Sequence, residues 1–373
     1  MDQFHFISLI FFAALLIQSY FYFRYFIPLV FQKNKTSTAN CKAEAVSVII
    51  CAHNELENLK QNLSLFLIQE FEDYEVILVN DRSEDGSQEW LNKQRENYPN
   101  LKVITIEETP ENFNPKKYAL TKGIYTAKNE IILLSDADCQ PGSLHWVDKM
   151  ARSFSKSISI VLGASLYQKR KGFLNQFIRF ETLQTALLYL SFAYKKEAYM
   201  GVGRNLAYRK SFFIDHDGFK DLSPLMGGDD DLWVNRHATK ENTRICMHPE
   251  SLTFSNPKEK WSSFFRQKKR HLSVGKYYKQ SDKMKLGLFH ASQTLLWIFF
   301  ILGIVLGSPT DCLILSSLIL IHLLGQYVAF YKLSINFGIR FEQHKLLVLE
   351  VLFIFYYWIW GTYASLTKHL KWK

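Results

Sequence analysis

Leu133-Leu134-Ser135-Asp136-Ala137-Asp138 ends a hydrophobic run in two carboxylates separated by one residue. Read as a strand, the run brings both acids to one edge of a sheet. A hard divalent cation finds its preferred oxygen ligands there and keeps room for substrate phosphates. The same residues, followed by Pro141-Gly142, also read as ordinary turn chemistry, so the surroundings must decide. Upstream lie the short, largely β-branched runs Val46–Ile50, Glu75–Val79 and Val103–Ile106, with Ile131–Leu134 as the fourth. Polar, helix-like stretches separate the first, second and fourth. Alternation of this kind predicts βαβ units and a parallel sheet within residues 45–257, with ligands bound at the strand ends.

Other strand ends and loops carry chemistry as well. The first run continues into Cys51-Ala52-His53-Asn54-Glu55, where Asn54 is an expected helix N-cap. The second ends in Asn80-Asp81, an acid placed to accept hydrogen bonds from a base or ribose, and Asp85-Gly86 then makes a turn. Lys116 and Lys117 fall near the same rim. The glycines of Gly201-Val-Gly203-Arg204-Asn205 permit close approach of backbone to a sugar or diphosphate. Their spacing also suggests a dinucleotide fingerprint, but the third glycine and the preceding βαβ start are missing. Asp229-Asp230-Asp231, after Gly227-Gly228, would repel one another unless a cation offsets them, or unless they form a solvated turn.

The rest of the chain reads as membrane protein. The formal charge is +10 and aromatic residues make up 15%, the aromatics gathering toward both ends. Phe4–Phe31 is long and apolar enough to cross a bilayer, about 20 residues being required. It lacks the basic start and small-residue cleavage site of a signal peptide. Leu286–Leu306, Cys312–Tyr331 and Leu346–Leu366 are three further expected spans, with Ser308-Pro309-Thr310-Asp311 as a tight loop between the first two. Arg24, Lys33 and Lys35 after the first span, with Asp2 before it, put the next domain in the cytoplasm. The basic tail Lys368–Lys373 conflicts with this count: either the charge rule fails there or one segment lies along the interface. Positive charge clusters from Arg266 to Lys285, beside the membrane. Trp261, Phe264, Phe265 and Leu272 could lie on lipid there with cations around them, and Phe173–Tyr194 suggests a similar interfacial role. With no nucleic-acid signature, a nucleic-acid partner is not expected. Five cysteines without a C-x-x-C spacing argue against a disulfide framework or structural zinc.

Taken in order, Val46–Glu55, Asn80–Gly86, Lys116–Leu120 and Ser135–Asp138 resemble the family 2 glycosyltransferases, over roughly residues 45–275. The resemblance implies a GT-A fold: an α/β, Rossmann-like nucleotide-diphospho-sugar domain. Here it would carry one N-terminal and three C-terminal transmembrane helices. The implied segments are an anchor (1–32), a catalytic domain (45–257), a basic interfacial region (258–285) and a membrane region (286–373). By resemblance, Ala52, His53, Glu55 and Asp81 lie around the nucleoside, and Lys116 takes the family's lysine position, with Pro115 in place of the commoner glycine. Asp138 is the main contact for Mg2+ or Mn2+, with Asp136 toward ribose and metal. Gly203, Arg204 and Asn205 form the acceptor-side loop. Alignment on Leu232 makes Asp229 the general base, with Asp230 next in line if the register slips by one. Gln267-x-x-Arg270 resembles a motif of membrane-embedded polysaccharide synthases, His271 standing where they carry tryptophan.

The expected reaction is inverting transfer of a sugar from a nucleotide-diphosphate donor to a hydroxyl of a membrane-lipid or glycan acceptor, at the cytoplasmic face of the plasma membrane. Two alternatives stay open: a processive polysaccharide synthase whose spans line a channel, and an inactive membrane scaffold.

Overall fold

A computed structural model describes residues 3–32, 43–111 and 113–366. Asp2, Lys33, Lys35, Cys41 and the tail Lys368–Lys373 lie outside the described residues. The first half of the catalytic region alternates as the sequence predicts: β1 (Val46–Ala52), α3 (Leu56–Leu67), β2 (Tyr74–Asp81), α4 (Ser87–Asn97), β3 (Leu101–Ile106), α5 (Pro115–Thr126) and β4 (Ile131–Asp136). It is preceded by α1 (Gln3–Phe21) and α2 (Ile27–Val30), joined through a π-helical turn at Tyr22–Phe26. β1 pairs in parallel with β2 on one side and β4 on the other, in a register that sets Ala52 beside Asn80 and Cys51 beside Asp136. The chain order reverses across β1, which opens a crevice beyond the carboxyl ends of β1, β2 and β4.

The second half departs from the expected parallel sheet. After β4 come β5 (Cys139–Pro141), α6 (Trp146–Ala151), β6 (Ile160–Leu162), β7 (Ser165–Tyr167), α7 (Phe173–Tyr194), β8 (Leu206–Arg209), α8 (Lys210–Asp215), α9 (Asp231–His237), β9 (Thr243–Ile245) and β10 (Thr253–Ser255). The seven-stranded order is β3-β2-β1-β4-β8-β6-β9. Here β8 runs antiparallel to both β4 and β6. A second sheet, β5-β10-β7, folds the loop after Asp138 back against the segment after β9.

Four helical segments are long and apolar enough to cross a membrane: the N-terminal one over Phe4–Val30, and those containing α11 (Gln280–Leu306), α12 (Pro309–Asn336) and α13 (Leu346–Leu366). Ser308 to Asp311 is not a loop. Ser308 caps α12, its Oγ accepting from the Asp311 N–H at 3.3 Å while the Asp311 carboxylate accepts from the Ser308 N–H at 3.0 Å. Pro309, with no N–H to lose, fits the first turn.

The interfacial expectation for Phe173–Tyr194 is also overturned. From Phe177 to Ala193 all but one residue of α7 is buried. It is packed in one hydrophobic core with Ile49 and Ile132 of the sheet, Phe21 and Phe26 of the N-terminal helix, and Phe330 and Phe353 of α12 and α13. Its aromatic richness answers to protein on every side rather than to lipid. The basic helix α10 (Trp261–Val274) does sit beside the membrane helices. Phe264 is buried, and Phe265 stacks on Trp360 of α13 with ring centroids 4.3 Å apart.

Candidate active site

The carboxyl ends of β1, β2 and β4, the start of α5 and one face of α10 enclose a cavity of about 370 Å³. Among the expected residues, Ala52, His53, Glu55, Asp81, Lys116, Asp136, Asp138, Gln267 and Arg270 all line it. Lys258 and Ser263 line it too and were not singled out in the sequence, and Arg266, read there only as the start of the basic cluster, does so as well. No strand pattern marks them; Ser263 and Arg266 reach the cavity on α10 and Lys258 from the segment before it.

Local chemistry places each group. Asn54 does not cap α3 as expected. It takes a positive φ of 55° and its Oδ1 accepts from the Glu84 N–H at 2.8 Å. The first amide of α3, at Leu56, goes instead to Asp85 Oδ2 at 2.8 Å. The two loops thereby lock each other and hold Asp81 and His53 together, His53 Nδ1 donating to the Asp81 carbonyl at 2.5 Å. Asp81 itself is buried, and its carboxylate accepts from Arg82 Nε at 2.8 Å. Asn114 does cap α5, its Oδ1 accepting from the Lys117 N–H at 3.3 Å, and Pro115 occupies the first turn.

Lys116 is the hinge of the site. Its Nζ lies 3.2 Å from Asp136 Oδ1 and 3.1 Å from Asp229 Oδ2. Burial works against its charge, but Asp136 and Asp229 hold it well above the ordinary lysine range. Burial alone would raise the Asp229 carboxyl, and the Lys116 and Lys117 ammonium groups outweigh it, holding Asp229 below the usual carboxylate range. Lys117, fully buried, faces the other way. Its Nζ donates to the carbonyls of Leu225 and Gly227 at 2.5 and 2.6 Å. It thus ties down the loop that carries Asp229, a role no motif disclosed. Burial pushes Lys117 down to about 8. Gly227 and Gly228 both take φ near +80°, a conformation that disfavours a Cβ, and this tight turn delivers Asp229 to Lys116.

The three consecutive acids separate into distinct environments. Asp230 is held on both oxygens, Oδ2 by the Gly203 N–H at 2.7 Å and Oδ1 by the Asp231 N–H at 2.8 Å. A Cβ on Gly203 would come within 3.2 Å of that carboxylate, so glycine is what permits the contact. Asp231 accepts from Tyr278 Oη at 2.8 Å and from the Leu232 N–H at 2.7 Å. Burial raises both carboxyls, and the neighbouring acids add to it.

The remaining expected residues divide. Arg204 is held with its guanidinium 4.8 Å from the Tyr167 ring centre and donates to Ser255 Oγ at 2.6 Å. Asn205 belongs to the core instead of an acceptor surface. It is fully buried, accepts from Trp146 Nε1 at 3.0 Å, and donates to the carbonyls of Ala164 and Ser251 at 2.7 Å. His271 is not among the cavity-lining residues, but it lies beside Arg270, at 3.4 Å, and near enough to Arg204 and Lys116 for burial and these cations to hold its imidazole well below the usual histidine range.

For a metal, the chain offers Asp136 and Asp138 side by side on the cavity wall. No group of three or more His, Cys, Asp or Glu side chains converges among the described residues. Two carboxylates with open space beyond them fit a hard cation that completes its shell with diphosphate oxygens and water.

The sequence matches the family described as "Glycosyl transferase family 2" over residues 47–217. It is 25% identical over 278 residues to the probable glycosyltransferase YdaM of Bacillus subtilis, covering 70% of this chain and 64% of that one. Residues 47–217 of the chain are thus similar to glycosyl transferase family 2. The chain is also similar to the glycosyltransferase AglE of Haloferax volcanii, 26% identical over 197 residues, covering 51% of this chain and 60% of the other. The match spans less than two thirds of the length of either relative. Among solved structures, the mannosyltransferase PcManGT from Pyrobaculum calidifontis, in complex with GDP-Man and Mn2+, shares the fold at a TM-score of 0.62 and 16% identity. The match covers 97% of this chain and 99% of that one. The chain therefore has a GT-A fold, with one N-terminal and three C-terminal candidate spans.

Proposed function

We propose that this protein is an inverting glycosyltransferase. It would move a sugar from a nucleotide-diphosphate donor to a hydroxyl acceptor at the cytoplasmic membrane face, with Asp229 as general base. The observation that carries the proposal is the bridge through Lys116. One ammonium group joins the acid at the end of β4 to the acid of the Gly-Gly turn, inside a cavity whose rim carries Asp81, Asp138 and Arg270. Asp229 does not itself line the cavity, and its bridge through Lys116 to the cavity wall is what supports reading donor and acceptor chemistry as one site.

In this reading the nucleoside lies along Ala52, His53, Glu55 and Asp81, and the diphosphate between Lys116, Gln267 and Arg270. Asp136 and Asp138 would hold Mg2+ or Mn2+. When bound, that ion neutralises charge on the departing diphosphate. Asp229 removes the acceptor proton as the acceptor oxygen bonds to the anomeric carbon. The bond to the diphosphate breaks, and the electron pair leaves with it. Proton transfer of this kind contributes about 100- to 10,000-fold, and positive groups fixed in place before reaction supply much of the rest. Asp229 is favoured over Asp230 because both Asp230 oxygens already accept backbone N–H bonds. Single transfer is favoured over a channel-forming synthase because Phe11, Ala14, Leu296, Leu315 and Ile319 fill the space among α1, α11 and α12.

The test uses the full chain with a panel of UDP-, GDP- and dTDP-sugars. Nucleotide release should depend on Mg2+ or Mn2+ and stop in EDTA. Asp229→Asn should bind nucleotide and fail to turn over. Full turnover by Asp229→Asn sinks the base assignment, and binding of every nucleotide sugar without turnover by the unaltered chain supports the scaffold alternative. A ladder of long products would favour the synthase.

A further inference from the structure

The Gly-Gly turn that carries Asp229 is gripped from two sides. Lys117 holds it from α5. On the other side lies the connector that runs from the end of α10 into α11, residues 274–282. Val274, buried at the end of α10, packs directly on the turn: a Cβ on Gly227 or on Gly228 would come within 3.1 or 3.5 Å of its methyl groups. Tyr278 Oη then donates to Asp231 Oδ2 at 2.8 Å. One turn further along α9, Asn235 accepts from the Lys279 N–H at 2.9 Å. It donates to Asp282 Oδ2 at 2.8 Å and to the Tyr199 carbonyl at 2.9 Å. Asn235 and Asp282 are both buried.

A joint between a catalytic region and a membrane span needs only to be well packed, and polar bonds scattered along it would serve. These contacts are not scattered. They fall on residues 227–235, the stretch that begins with the base-bearing turn. Asp231 opens α9, two residues beyond Asp229, so a rotation of its carboxylate carries the turn with it. Among the described residues, its other hydrogen bond is local, from the Leu232 N–H, and Tyr278 alone reaches it from outside α9. Burial, with Asp231 beside it, holds the Tyr278 hydroxyl well above the ordinary tyrosine range, so it stays a donor.

We infer that Tyr278 is a positioning residue for Asp229, through which the entry to the first C-terminal candidate span sets the place of the base. No contact with substrate is asked of Tyr278. It fixes the Asp231 carboxylate, that carboxylate fixes the first turn of α9, and the turn aims Asp229 at Lys116. This deepens the transferase reading and rests on it, since Asp229 must be the base.

The test compares Tyr278→Phe with the unaltered full chain in phosphatidylcholine nanodiscs, using the nucleotide sugar that the donor panel turns over. The change removes one oxygen and leaves the ring beside Tyr199, 6.1 Å between ring centres. A misplacement of about 1 Å costs roughly 100-fold, so kcat should fall at least about tenfold, with donor KM held within about twofold. The fraction of chains that bind nucleoside diphosphate should not change. Amide hydrogen exchange should quicken at residues 228–232 and stay as it was in β1 and β2. Unchanged kcat overturns the inference. So does a fall in kcat matched by an equal fall in the fraction of chains that bind, since that reports lost fold and not a displaced base. Exchange that stays slow at 228–232 overturns it too. If the unaltered chain turns over no nucleotide sugar, the transferase reading fails instead, and the exchange measurement, which needs no donor, still judges the connector.

Discussion

At the scale of single residues, the site depends on one lysine facing two ways. Lys116→Met should lower kcat by about 100- to 1,000-fold, the range for losing one fixed electrostatic donor. It should also shift the pH profile. Asp229 must be ionised to act, so activity falls as pH drops through its pKa. Lys116 helps hold that pKa below the usual carboxylate range, and without it the acid limb of kcat/KM should move to higher pH. An acid limb unmoved in Lys116→Met would mean another group sets the profile. Asn205→Ala should act elsewhere, on stability. It strands the Trp146 N–H and two buried carbonyls, and a loss of about 1–3 kcal/mol is expected in denaturation of the detergent-solubilised chain. Sequence reading brought Asp136, Asp138 and Lys116 toward one rim, where the structure has them line one cavity, because strand ends and helix starts announce themselves locally. It misplaced Asn54 and Asn205 because their partners, Glu84, Trp146, Ala164 and Ser251, come from distant segments. A polar residue next to glycines reads the same whether it faces a ligand or a buried carbonyl.

At the scale of elements, α10 is held to α7 by Lys268 and Glu181, 2.5 Å apart with side chains only 11% and 7% exposed. Removing one partner of a buried pair typically costs about 3–5 kcal/mol because the other charge is left uncompensated. Glu181→Ala should therefore destabilise the chain markedly, and Glu181→Ala with Lys268→Met should recover much of that loss. Two single losses that simply add in the double variant would show that the contact has no energetic weight. The first four strands were legible from their β-branched runs. The antiparallel β8 was not, since Leu206–Arg209 is four residues long and follows a glycine loop that favours no direction. Helix α7 was misread for a related reason: an aromatic, apolar stretch looks the same against lipid as against a sheet and a helical bundle.

At the scale of the whole molecule, the proposed orientation puts the Gly307–Ser308 turn across the membrane from the catalytic cavity. A maleimide that cannot cross bilayers should label Thr310→Cys in intact cells and should label His344→Cys only after permeabilisation, each judged against the unaltered chain. The reverse pattern would invert the orientation. The continuity of the core through α7 has its own consequence. Because Ile49, Phe21, Phe330 and Phe353 belong to one packed body, this chain is poorly suited to modular exchange. A chimera that grafts a relative's sugar-binding half onto these spans would bring mismatched surfaces together along α7. New donor preferences should therefore arise by substitution at the cavity rim more readily than by swapping whole segments.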